Sequence, residues 1–328
     1  MRILLSRTDR IGDLILSTPA IATVRASFPK AHITMITSAY NRVAVERNSD
    51  LDVVRALPPS VNPGAFASAY REQIDLAIAL GPRAMDFAIV AATRARVRLG
   101  YTYSRRYLAR LTSRIYLTRL AVSQADPRLS DLQPQRHVRH EVDELLDLVA
   151  LAGATQRVAD LRIDLSDADR AEVAHLPAGG LTFHLADHWL RDGSSLENTI
   201  VLIGELRRFG LPILVTHAAE HREQAAAIAQ AGAADALSGE LTFHQWAAAF
   251  ERSRCVVTVD TAATHVASAV RRPTIVAFEH RFFRLSSQEW APYRVPHAIV
   301  RKPRDERADS LARLRREILD GVGALLNA

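Results

Sequence analysis

A single cysteine, Cys255, stands among 328 residues. That excludes an intrachain disulfide and any metal cluster built on cysteine thiolates, and it fits a reducing cytoplasm. Long apolar runs are also missing: none approaches the ~20 residues that cross a bilayer, which argues against an integral membrane protein. Met1-Arg2-Ile3-Leu4-Leu5 breaks at once into Ser6-Arg7-Thr8-Asp9-Arg10. Such a run is too short for a signal-peptide core and reads as a first strand. After that strand the chain has Arg7-Thr8-Asp9-Arg10-Ile11-Gly12. No Gly-x-Gly-x-x-Gly lies there, which disfavours a nicotinamide oxidoreductase. No internal repeat, low-complexity segment or nucleic-acid motif stands out.

What is present is an ordinary globular composition, 48% hydrophobic and 24% charged. Because one hydrophobic core stops growing at roughly 250–300 residues, two domains are expected. The net charge of +6 points to anionic partners without choosing among nucleic acid, anionic lipid and phosphorylated small molecules. Arginine is densest at Arg94, Arg96, Arg98, Arg105, Arg106, Arg110 and Arg114, interleaved with Tyr101, Tyr103 and Tyr107. This stretch reads either as a solvated basic surface or as a contact for an acidic acceptor or a membrane, where each basic residue adds about 1 kcal/mol.

Apolar runs and helical patterns alternate along both halves. Strands are predicted at Arg2–Ser6, 33–37, Val53–Leu57 and 76–80, with helical segments between them. Ala20, Ile21, Val24 and Phe28 share one helical face. That helix begins near Gly12, and Pro19 either kinks it or opens a new one after Thr18. Residues 124–139, with Pro127 and Pro134, read as a loop before a helix through Glu141, Leu145, Leu148 and Val149. A short helix and linker are expected over 164–180. The second alternation predicts strands Leu181–Leu185, 212–216, Cys255–Val259 and Thr274–Phe278. Its helices fall at 197–209, 220–231, 243–250 and 264–270, and 310–326 is an amphipathic terminal helix. Alternation of this kind means βαβ units and parallel sheets.

Two segments carry polar chemistry. Asp260-Thr261-Ala262-Ala263-Thr264-His265 joins the strand Cys255–Val259 to a helix, the place where α/β sheets bind ligands. The first N–H groups of such a helix lack intrahelical partners and favour an anion such as phosphate. Gly12-Asp13 sits at an expected helix start in the other half, so a cleft between two domains is expected. Asp13 reads either as a helix cap or as a carboxylate base. His265 reads as a packed histidine or as part of the phosphate pocket. Asp187 and His188 with His184 lack tight ligand spacing, so no metal site is assigned.

The run Gly12-Asp13-Leu14-Ile15-Leu16-Ser17-Thr18-Pro19-Ala20-Ile21, then Arg25 and Phe28-Pro29, resembles the heptosyltransferases of glycosyltransferase family 9. So do Asp260-Thr261 and His265-Val266-Ala267. Asp75-Leu76-Ala77-Ile78-Ala79-Leu80, Arg98-Leu99-Gly100-Tyr101, His140-Glu141-Val142-Asp143 and Leu241-Thr242 follow in family order, so the likeness covers nearly the whole chain. It implies an α/β, GT-B-like architecture: two doubly wound Rossmann-like domains facing a central cleft. The domains fall at 1–165 on the acceptor side and 178–305 for the nucleotide sugar, with 306–328 packing back on the first.

The same likeness implies an inverting transferase that moves heptose, or a related sugar, from an ADP-sugar to an acidic, lipid-linked glycan of the lipopolysaccharide-core type. Asp13 would be the base. Arg191, Asp260, Thr261, Ala262, Ala263 and His265 would hold the donor; Arg10, Arg105, Arg106 and Arg110 would meet the acceptor. No cofactor, metal or nucleic acid is expected, and the location is the cytoplasm, in peripheral contact with the inner membrane. Three departures bear on donor identity. The family usually has glycine at Ala262, Gly-Pro where Glu279-His280 stands, and a glycine-rich stretch where His217-Ala218-Ala219-Glu220 stands. The alternatives are a nucleotide-sugar-modifying enzyme such as an epimerase, or a non-catalytic nucleotide-sugar-binding protein.

Overall fold

The computed structural model describes residues 1–124 and 138–327, and most of the loop expected at 124–139 lies outside them. Two compact units meet in sequence between Arg162 and Ile163. In the first, β1 (Arg2–Ser6), β2 (His32–Ser38), β3 (Val53–Leu57), β4 (Leu76–Ala79), β5 (Val97–Tyr103) and β6 (Arg119–Ser123) form one sheet ordered β3-β2-β1-β4-β5-β6. Every pairing in it is parallel. In the second, β7 (Leu181–Leu185), β8 (Ile213–His217), β9 (Ala236–Ser238), β10 (Cys255–Val259), β11 (Thr274–Phe278) and β12 (His297–Arg301) are ordered β12-β11-β10-β7-β8-β9, again all parallel. Read from β9, this order repeats that of the first sheet. The two halves share a topology without any recognisable sequence repeat.

The doubly wound order explains the patterning. Helices cover both faces of a parallel sheet, so its central strands are apolar on both sides. β10 (Cys-Val-Val-Thr-Val) and β11 (Thr-Ile-Val-Ala-Phe) are buried throughout. The order also sets where ligands can bind. In each sheet the chain leaves the first strand in one direction and returns to its other side for the fourth, which opens a crevice beyond their carboxyl ends. Those crevices lie at the ends of β1 and β4 in one unit and of β7 and β10 in the other.

Several expectations shift. The amino-terminal helix is two: Ile11–Leu16 and Thr18–Ser27, broken at Ser17, with Pro19 in the first turn of the second. Proline has no N–H to reach back into the preceding turn, and the Thr18 hydroxyl donates to the Ile15 carbonyl instead, at 2.7 Å. Residues 163–180 are part of the second unit rather than a free linker. Val173 and Leu176 pack with Leu214, Ala248 and Ala249, and Ser166 with Asp169 forms a capping box for the helix Asp167–Glu172. The terminal helix is Ala308–Leu326. Leu314, Ile318, Leu319 and Val322 lie in the core of the second unit, so its apolar face is spent there.

Candidate functional site

In the first unit the chain leaves β1 through Arg7, a guanidinium only 2% exposed. Burial disfavours its charge, but carboxylates surround it and hold its pKa well above the ordinary value. Its Nε lies 3.0 Å from Asp9 Oδ1, and its Nη2 lies 2.5 Å from Glu141 Oε1 and 3.8 Å from Asp13 Oδ2. Nη1 donates to the Leu80 carbonyl at the end of β4 (3.0 Å) and to Ser17 Oγ (3.2 Å). Asn41, beyond β2, donates to the Arg7 carbonyl. Four segments far apart in sequence thus converge on one residue, Arg7, at the β1–β4 crevice.

Asp13 belongs to the short helix Ile11–Leu16, and its side chain keeps 21% exposure. Its pKa lies well above the usual carboxylate range. Burial is the main cause; Asp9 and Glu141 add repulsion, while Arg7 and Arg10 oppose the rise. The Arg10 residue is exposed, at the cap position of the same helix. A carboxylate made more basic by its surroundings, yet still open to solvent, suits proton abstraction better than capping. Indeed Asp13 lies inside the helix, and the cap position belongs to Arg10.

A second carboxyl shares the crevice. Asp86, in the first turn of the helix Ala84–Ala92, is fully buried and accepts from Ser6 Oγ at 2.7 Å. Burial first, then the Asp9 charge, raises its pKa to about 7. Its Oδ2 packs over Gly81, where a Cβ would come within 2.9 Å of Asp86 and 3.5 Å of Asp9. Gly81 therefore makes room for the carboxylate pair.

The basic stretch resolves into separate roles. Arg98 is structural: it donates to the carbonyls of Tyr116 and Ala95, both at 2.8 Å. Arg105 and Arg106 follow the carboxyl end of β5, on the same edge of the sheet as Asp13. Arg106 lies over the Tyr103 ring at 4.4 Å, and Arg110 donates to the Ser104 carbonyl.

In the second unit, Asp260 and Thr261 leave β10 at the β7–β10 crevice. The helix that follows is Ala262–Ala269, beginning two residues earlier than expected, so Ala262 and Ala263 supply its first N–H groups. Thr261 is extended (φ −149°) and makes no side-chain cap; its hydroxyl turns back to the Val259 carbonyl at 3.3 Å. The helix start is thus left uncapped by its own threonine. Ala262 is among the residues with negative φ, which is why the methyl group is tolerated where the family carries glycine. Thr264 donates to Val259 O, and His265 is buried one turn into the helix.

Arg191 lies on the loop after β7, the strand beside β10, with an exposed side chain 3.6 Å from Asp192. That loop is held by a residue the sequence reading missed. Lys302, beyond β12 and 1% exposed, donates through Nζ to the carbonyls of His188 and Arg191. Burial brings its pKa down to about 8 against the pull of Glu279 and Asp192. The departure at Glu279 has a local reason: its Oε1 lies 2.6 Å from His188 Nδ1, joining the loops after β11 and β7. Burial, outweighing Glu279, keeps the His188 pKa below its ordinary value. At the other departure, His217 packs over Gly239, where a Cβ would meet its ring at 2.1 Å. His184, on β7, bonds Thr216 Oγ1 at 3.0 Å and rests against Trp246. Burial first, then His221 and His217, lowers its pKa to about 3, so it is neutral. Among the described residues no group of three or more histidine, cysteine or carboxylate side chains is disposed to hold a metal ion.

Residues 201–315, which include Asp260 to His265 and Glu279, match the family model for glycosyltransferase family 9 (heptosyltransferase). Over those residues the chain resembles glycosyltransferase family 9. Solved structures agree in fold along its whole length. A family 9 glycosyl transferase from Veillonella parvula superposes with a TM-score of 0.78 at 16% identity, covering 99% of this chain and 97% of that one. The E. coli ADP-heptose LPS heptosyltransferase II gives 0.74 at 17% identity, over 100% and 99%. The E. coli heptosyltransferase WaaC with ADP-2-deoxy-2-fluoro heptose gives 0.69 at 19%, over 100% and 99%. No curated protein sequence matches significantly. The chain thus has two doubly wound, GT-B-like units, as those glycosyltransferases do, and among the described residues no helix is long and apolar enough to cross a membrane.

Proposed function

We propose that this protein is a glycosyltransferase that moves a heptose, or a closely related sugar, from an ADP-activated donor to an acidic glycan of the lipopolysaccharide-core type, with inversion. Asp13 carries the proposal. In a single displacement, an acceptor hydroxyl attacks the anomeric carbon, the bond from that carbon to the diphosphate oxygen breaks, and the hydroxyl proton goes to the Asp13 carboxylate. Its raised pKa makes it a stronger base than a solvated aspartate, and Arg7 opposes the rise.

The leaving diphosphate would be received by Thr261, the N–H groups of Ala262 and Ala263, and Arg191, with Asp260 and His265 completing the pocket. A helix N-terminus and a guanidinium favour a dianion without a divalent metal. The E. coli relative solved with an ADP-heptose analogue supports adenine and heptose as the first donor to try. Arg10, Arg105, Arg106 and Arg110 supply positive charge on the unit that carries Asp13, which fits an acidic acceptor, lipid-linked and presented at a cytoplasmic membrane face.

The test is to incubate the purified chain with ADP-heptose, related ADP-sugars and UDP-sugars, with and without a core oligosaccharide acceptor, in the presence of chelator. ADP-heptose should raise the melting temperature most and should be consumed only when acceptor is present, chelator notwithstanding. Donor isomerised without acceptor would identify an epimerase. Preference for a UDP-sugar would overturn the donor assignment, and rescue by Mg²⁺ the metal-free mechanism.

A further inference from the structure

The helix Tyr107–Tyr116 is built inside out. Only Ser113 is buried and Ala109 and Tyr116 are half-buried, whereas its large aliphatic side chains face solvent. Tyr107, Leu108, Leu111 and Ile115 are 73%, 79%, 66% and 77% exposed. At 3.6 residues per turn these four positions share an arc of about 100°. A soluble helix normally turns such an arc to the core; a contiguous exposed one marks an interaction surface.

The charge around it selects the partner. From Thr93 to Gln124 the chain carries eight arginines and no aspartate or glutamate. Arg105 and Arg106 immediately precede the helix, Arg114 borders its apolar arc, and Arg110 follows on the same flank. An apolar stripe with a purely cationic border matches the boundary between anionic headgroups and acyl chains, where arginine meets phosphate and leucine enters the hydrocarbon. We propose that Tyr107–Tyr116 is an interfacial helix that docks this enzyme on an anionic bilayer, with Leu108, Leu111 and Ile115 inserted below the headgroups. The inference stands apart from the choice of donor sugar and needs no glycan acceptor.

Co-sedimentation of the full chain with vesicles free of any glycan tests it. The parent should bind phosphatidylcholine vesicles containing phosphatidylglycerol and bind pure phosphatidylcholine much more weakly. A Leu111→Ser/Ile115→Ser variant should lose on the order of 100-fold in partitioning, since each buried aliphatic side chain contributes substantially. Because both side chains are already exposed, its melting temperature and its donor binding should match the parent's. A separate Leu111→Trp variant should show additional blue-shifted emission on vesicles, quenched by lipids brominated in the acyl chains. Equal vesicle binding by parent and the double serine variant would overturn insertion. So would emission from the Leu111→Trp variant that matches the parent's, unshifted and unquenched, on vesicles to which it binds. If the parent ignores both vesicle types, the lipid assignment is wrong and a protein surface is the occupant.

Discussion

Replacing Asp86 by Asn should stabilise this enzyme, and increasingly so as pH rises. Asp86 is fully buried, and its pKa of about 7 compares with 3.8 for the free side chain. A carboxyl whose folded pKa lies above its unfolded one holds a proton in the native state that the unfolded chain releases between those two values. Stability from this group is therefore fully present below about pH 4 and is lost as pH rises to about 7, beyond which the loss is constant. The displacement corresponds to about 4 kcal/mol as an upper limit, at roughly 1.4 kcal/mol per pH unit. Asn keeps the acceptor for Ser6 Oγ and replaces Oδ2, the atom over Gly81 near Asp9, with a donor. Urea titrations of parent and variant from pH 5 to pH 8.5 measure the difference directly. His184, with a pKa of about 3, tilts both profiles the opposite way, its stability being lost as pH falls below about 6.5, so it cancels in the comparison. The difference should be roughly 1–2 kcal/mol at pH 5 and approach about 4 kcal/mol by pH 8. Parallel profiles, or a variant less stable than the parent at pH 8, would refute the account of Asp86.

Arg7→Lys should destabilise by about 3–5 kcal/mol, because one ammonium cannot reach Asp9, Glu141 and the Leu80 carbonyl together and leaves a buried charge without its partner; chemical denaturation reads this, and wild-type stability would contradict it. Thr261→Val and His265→Ala should each weaken ADP binding in calorimetry while leaving adenosine binding nearly unchanged, whereas equal losses for both ligands would mean the turn itself had collapsed. Joint replacement of Arg105, Arg106 and Arg110 by Gln should raise the acceptor KM and flatten its salt dependence with donor affinity intact; an unaltered KM would remove these arginines from acceptor binding.

The alternation of apolar runs made the two parallel sheets legible, and the strand-to-helix turn at Asp260–Thr261 located one crevice, because both signals are local. What escaped was non-local or masked by composition. β5 alternates Arg98, Gly100 and Thr102 with Val97, Leu99, Tyr101 and Tyr103, and Arg98 with the arginines on either side of the strand disguised it as surface. β9 is three residues long, too short to carry a period, and β12 is a partly exposed edge strand. Asp13 was visible through a family motif, but the reason its carboxyl is basic was not. That reason lies in burial first and then in Asp9 and Glu141, the last of these 128 positions from Asp13, whose convergence only the sheet order produces. Asp86 and Lys302 carry no local sequence signal, because burial in the folded chain is what shifts them.

The central claim is that the Asp13 carboxylate takes the acceptor proton. Its most direct test is the turnover of an Asp13→Asn variant with saturating ADP-heptose and core oligosaccharide, alongside calorimetric donor affinity. Asn keeps the shape beside Arg7 but cannot accept the proton, so the account predicts a loss in kcat of roughly 10²–10⁴-fold with donor Kd unchanged. The parent rate should fall on the acid side of a pKa displaced above the usual carboxylate range, and the residual rate of the variant should lack that limb. Turnover within a few-fold of the parent, with the acid limb intact, would contradict the assignment.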